Sequence, residues 1–137
     1  MANFENFLEY SQKWTDKSLQ SDLQSFIKNF VKDKGQEIVA RTKLRTPVDT
    51  GALRNSWQVG DFREKTNAYE IDILNNQEYA SYVEYGTVER EWKWKNGAFM
   101  LTKSLNEVEQ KIHNDFNIKF TKFLNDKGIG EWYMEKQ

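Results

Sequence analysis

Asp49, Thr50 and Gly51 carry the strongest chemical signal in this chain. Asp-Thr-Gly is also the triplet of aspartic proteases, in which two carboxylates share one proton and activate a water molecule. One chain holding one triplet would have to dimerise to do that chemistry, and 137 residues is a length that allows it. The surroundings differ from a protease's. There the triplet rises from an apolar strand into a buried loop; here Arg41, Lys43, Arg45 and Thr46 precede it, together with Pro47, the only proline. No apolar second half with a matching glycine loop follows. The other reading is a corner. Pro47 fixes its own φ and biases Thr46 away from the helical region. Asp49 and Thr50 can fold their side-chain oxygens onto nearby backbone N–H groups, Gly51 tolerates a left-handed backbone, and Leu53 returns an apolar group to the core. We adopt the corner and keep a homodimeric aspartic hydrolase using Asp49 as the alternative.

Other chemistries find little support. There is no cysteine, which excludes disulfides and thiolate catalysis, and His113 is the single histidine. Gly128-Ile129-Gly130 is too short for a phosphate loop and lies in a polar tail. The carboxylates are not spaced as a metal loop. No catalytic, cofactor-binding or metal-binding residue is therefore expected, and no cofactor.

Composition narrows the class. Charged residues make up 30% of the chain, aromatics 15% with five Trp, and the formal net charge is −1. A near-zero charge argues against sequence-specific or general nucleic-acid binding, which favours a basic excess. With a mean hydropathy of −0.87 and no long apolar run, no membrane span or signal peptide is expected, which implies synthesis in a cytosol.

Hydrophobic spacing supplies the elements. Phe4, Phe7, Leu8 and Trp14 read as an arm or a short first helix, and Asp16 to Ser18 as a break. Leu19, Leu23, Phe26, Ile27, Phe30, Val31, Ile38 and Val39 recur at threes and fours, predicting a long helix that stops by about Arg45. Gly35 is a point where it could bend or split. Arg41, Lys43 and Arg45 complement the dipole at its C-terminal end, with a basic partner patch as the other reading. Trp57 to Phe62 and Tyr69 to Ile73 alternate and predict a hairpin across the polar turn 63–67. Tyr79, Tyr82 and Val83 suit one or two helical turns ended by Gly86. Val88, Arg90, Trp92 and Trp94 alternate with charged residues and predict a third strand, closed by Asn96-Gly97. From Phe99, helical spacing runs through Leu105, Val108, Ile112, Phe116, Phe120 and Phe123, with Thr102 or Ser104 as the cap and Glu107 completing a capping box. The sum is one α+β domain over residues 1–137. It has a small antiparallel sheet of about three strands packed against long N- and C-terminal helices, and ends at 1–18 and 126–137 expected to be mobile. The tail Glu131-Trp132-Tyr133-Met134 either folds back or meets a partner.

Two stretches in this order resemble a known family. Thr46-Pro47-Val48-Asp49-Thr50-Gly51-Ala52-Leu53-Arg54-Asn55-Ser56 is similar to a turn, and Tyr79-Ala80-Ser81-Tyr82-Val83-Glu84-Tyr85-Gly86-Thr87 to an aromatic Glu-x-Gly-Thr segment, of the minor tail-component or neck proteins of long-tailed bacteriophages. Phe99-Met100-Leu101 follows about a dozen residues later, and the resemblance spans about residues 26–123. It implies a structural virion protein of the head–tail junction, with no enzymatic activity, acting in tail assembly or head–tail joining. It implies a homo-oligomeric ring contacting other neck, connector or tail proteins, with a lumen that passes DNA. On that basis Pro47, Asp49, Thr50, Gly51, Leu53, Ser56, Tyr79, Tyr82, Glu84, Gly86 and Thr87 are structural motif positions. Arg54, Glu84, Trp92, Trp94 and Trp132 are interface candidates.

Overall fold

The computed structural model describes residues 17–48, 50–66, 68–88 and 94–128. The expectations for the N-terminal arm, Asp49, Trp92 and Trp132 lie outside them. The elements are α1 (Lys17–Arg45), α2 (Ala52–Asn55), β1 (Trp57–Glu64), β2 (Tyr69–Asn75), α3 (Ala80–Tyr85), β3 (Gly86–Val88), β4 (Trp94–Asn96) and α4 (Met100–Asp126). The class is α+β, with the two long helices at the two ends of the sequence as expected. The helices contribute to two compact units: one contains α1 up to Phe30 and α4 from Lys111, the other is Val31–Gln110.

The first unit is held by phenylalanines. Leu23, Ile27 and Phe30 on α1 are buried, as are Phe120 and Leu124 on α4. The Phe26 ring lies 4.9 Å from that of Phe123 and 5.9 Å from that of Phe116, and Phe30 meets Phe116 edge-on at 5.1 Å and 84°. Such pairs add about 0.5–1.5 kcal/mol each beyond the area they bury. Lys127 pairs with Asp22, and the Lys119 ammonium sits 5.8 Å from the Phe30 ring centroid.

The second unit packs around Val39, Leu53, Trp57 and Met100, with Val59, Ile73, Val83 and Leu101 against them. Gly35 does not split α1, which is continuous from Lys17 to Arg45. It lets the hairpin come close, since a Cβ there would lie 3.2 Å from Ile71 Cδ1 and 3.5 Å from Val59 Cγ2. At its C-terminal end α1 buries two hydroxyls, each turned back onto a carbonyl four residues earlier. Thr42 donates to Ile38 O at 2.7 Å and Thr46 to Thr42 O at 2.6 Å. The Trp57 indole N–H then donates to Thr46 Oγ1 at 3.0 Å, tying the first residue of β1 to the end of α1.

Three expectations are corrected. The sheet does not have three strands: β1 pairs with β2, and β3 pairs separately with β4, both antiparallel. Of the alternating stretch Val88–Lys95, residues 89–93 lie outside the described residues; its ends Val88 and Trp94 pair across β3 and β4 instead of following one another along a third strand of the first sheet. The chain after β4 is hooked onto α3 instead, with Ala98 N–H on Val83 O at 2.7 Å and Phe99 N–H on Glu84 O at 3.0 Å. Second, the β1–β2 turn is shorter than residues 63–67. β1 runs on to Glu64, while β2 begins at Tyr69 as expected, because Arg63 bonds Asp72 across the ladder and Lys65 pairs with Glu70. A register shift between Val59 and Phe62 places one extra residue on β1. Third, α4 starts at Met100 and not at a Thr102 or Ser104 cap. Ser104 lies inside the helix and donates to Met100 O at 2.6 Å, and Glu107 binds Arg41 and Arg45.

Candidate functional site

The two sequence motifs fold against each other. From Thr50 to Ser56 the backbone is held by short-range hydrogen bonds. Ala52 N–H donates to Thr50 Oγ1 at 3.2 Å, and Gly51 adopts a left-handed conformation at φ 86°, ψ −5°. That conformation is strained for any residue bearing a Cβ. Gly51 O then accepts from Asn55 N–H at 2.9 Å, and Ser56 donates its hydroxyl to Ala52 O at 2.7 Å, closing the single turn of α2. Leu53, in the middle of that turn, points into the core.

The segment leading into the second motif clasps this corner. Asn75 Nδ2 donates to Leu53 O at 2.9 Å, and Gln77 Nε2 donates to Ser56 Oγ at 3.0 Å. Gln77 N–H in turn donates to Asn75 Oδ1 at 3.0 Å. Ser56 was expected only as the end of a turn; it is also the junction of the two motifs. Asn75 and Gln77 were not singled out beforehand. A polar Asn-Asn-Gln run after a strand reads as an ordinary stop, and nothing local shows which carbonyl it will reach.

The second motif is organised by a buried carboxyl group. Glu84 is 3% exposed, and its carboxylate accepts three hydrogen bonds at the start of α4. These come from Leu101 N–H at 2.9 Å, Thr102 N–H at 2.9 Å and Thr102 Oγ1–H at 2.7 Å. A helix N-terminus offers unpaired N–H groups and the positive end of the dipole, so a carboxylate there is both hydrogen-bonded and electrostatically favoured. Gly86 follows at φ 103°, ψ 169°, a turn out of α3 that sends the chain into β3. Thr87 lies within β3.

The motifs face each other across a cleft of about 390 Å³, walled by Pro47, Val48, Thr50, Gly51 and Leu53 on one side and by Tyr79 and Val83 on the other. Tyr79 is 42% exposed, and Tyr82 and Tyr85 are each about 60% exposed, so α3 carries tyrosines outward as well. Arg54 is exposed on α2. Trp94 opens β4, its backbone opposite Val88. Among the described residues no cluster of His, Asp and Glu could hold a metal ion. His113 is exposed on α4 and belongs to the other unit. The arrangement offers a shaped apolar cleft beside exposed aromatic rings, a surface for contact with another protein.

Residues 12–86, more than half of the chain, match the family model described as "Bacteriophage HK97-gp10, putative tail-component". The match covers the first motif whole and the second as far as Gly86; Phe99-Met100-Leu101 and α4 lie beyond it. No curated protein and no solved structure matches the chain.

Proposed function

We infer, since the chain belongs to this bacteriophage tail-component family, that it is a structural subunit of the head–tail junction. It acts there without catalysis, joining or completing the tail through contacts with other neck, connector or tail proteins. Several copies form a closed ring in the virion, and the DNA passes through its lumen. The observation that carries this reading is the clasp between the two motifs. Ser56, Asn75 and Gln77 lock them into one rigid piece, and that piece presents an apolar cleft and exposed tyrosines to its surroundings. A surface with exposed aromatic rings beside an apolar cleft suits protein–protein contact. Among the described residues no helix is long and apolar enough to cross a membrane.

The test is genetic. Particles assembled without this protein are expected to package DNA and to fail at joining or at retaining the tail. Normal infectious particles in its absence would count decisively against the role. The hydrolase alternative separates at Asp49. Asp49→Asn leaves a corner that still folds and joins tails on our reading, and abolishes all turnover on the other.

A further inference from the structure

We propose that the exposed ridge of Tyr82, Tyr85 and Phe99 seats in the motif cleft of a second copy of this chain, head to tail. This rests on the reading of the chain as a self-assembling subunit, and it names the surfaces that subunit uses. Two different flanks of α3 carry the two halves of the contact. At about 100° per residue, Val83 lies about 40° round from Tyr79 in one sense, and Tyr82 and Tyr85 about 60° and about 120° round in the other. Tyr79 and Val83 wall the cleft, and the Tyr85 ring turns away to meet Phe99 edge-on at 6.4 Å and 78°.

Projecting aromatics and a receiving cleft on separate flanks make a contact in which each copy uses both surfaces once. Such a heterologous contact closes into a ring or extends as a chain, whereas a two-fold contact would stop at a pair. Charge selects the same occupant. Glu78 lines a hollow on the Tyr85 flank, and Arg54 follows Leu53 of the cleft wall; both are exposed. Neither has an ion-pair partner among the described residues. Seating the ridge of one copy in the cleft of the next brings an unpaired acid toward an unpaired base, a complementarity that the chain supplies to itself.

The experiment is sedimentation velocity of the full chain over a range of concentrations at low and moderate salt, with circular dichroism to confirm that each variant folds. The wild type is expected to associate beyond a dimer. Tyr82→Ser combined with Tyr85→Ser, both on the surface, should raise the dissociation constant by at least about tenfold. Glu78→Arg and Arg54→Glu should each weaken association, and an equimolar mixture of the two single variants, or the doubly reversed chain, should recover it. A wild type that stays monomeric throughout overturns the contact. So does association that the tyrosine changes leave intact, or a doubly reversed chain that is not rescued. The junction role is judged separately, on particles. Tail joining that survives loss of this contact removes the contact alone. Self-association in a protein that the virion does not need removes the junction role alone.

Discussion

Glu84 buries its carboxyl where the unit has almost no solvent, and three donors at the start of α4 converge on it. Removing it leaves two part-buried backbone N–H groups without their acceptor. Glu84→Ala is therefore expected to cost about 3 kcal/mol, and Glu84→Gln about half of that, because the amide can still accept with its one oxygen. Urea denaturation with an unchanged slope would check both values; a loss below about 0.5 kcal/mol for Glu84→Ala would show that the cap is incidental. Two glycines separate conformation from space. At Gly51 a Cβ would meet only Asn55 Nδ2, at 3.4 Å, so Gly51→Ala pays for the left-handed backbone alone, about 1 kcal/mol. At Gly97 a Cβ would lie 2.2 Å from Glu84 O, so Gly97→Ala must push strand and helix apart, at about 2–3 kcal/mol. The same denaturation series ranks them. Equal losses at the two sites would mean that the approach of residue 97 to α3 is looser than described.

At the scale of elements, the β1–β2 hairpin carries a charge ladder on its exposed face. The Asp72 carboxyl is held below its ordinary value by hydrogen bonds from Arg63, and that of Glu70 by Lys65 first and Arg63 second. Because both folded values lie below the unfolded ones, the ladder contributes fully above the unfolded carboxylate pKa, near about 4, and that contribution fades as pH falls through the folded values. Urea midpoints taken between about pH 6 and about pH 2 should show a shallower acid limb for Asp72→Asn with Glu70→Gln than for the wild type. A parallel shift across the whole range would contradict the assignment. On α1, burial works against the charge of Glu37, yet Lys34 and Arg41 hold its carboxyl below the ordinary value. Arg41 and Arg45 both reach Glu107, so the basic end of α1 is largely spent on α4 within this unit. Much of this level was legible beforehand. The stop of α1 near Arg45 followed from Pro47, the first hairpin from strict alternation, and the short helix from the spacing of Tyr79, Tyr82 and Val83. The pairing of β3 with β4 was not. Alternation reports a strand's faces but not its neighbour, and the hook of Ala98 and Phe99 onto α3 depends on carbonyls fifteen residues away. The cap of α4 was missed for the same reason, since its acceptor lies 17 residues before the first N–H it meets.

At the scale of the molecule, the corner at Thr46–Ser56 and the segment at Tyr79–Thr87 pointed to one family, and a family model spanning residues 12–86 places the chain in it. The sequence could show that both stretches matter, but not that they touch, because the clasp runs through Asn75 and Gln77, which carry no pattern of their own. The clasp is the physical core of the account. It joins two short irregular segments into one surface. The most direct measurement is a particle reconstruction with this chain located in it. The account predicts density for several copies arranged as a ring between the DNA-filled head and the tail, with the lumen open to DNA. Density for this chain elsewhere in the particle, or purified virions that contain none of it, would contradict the account.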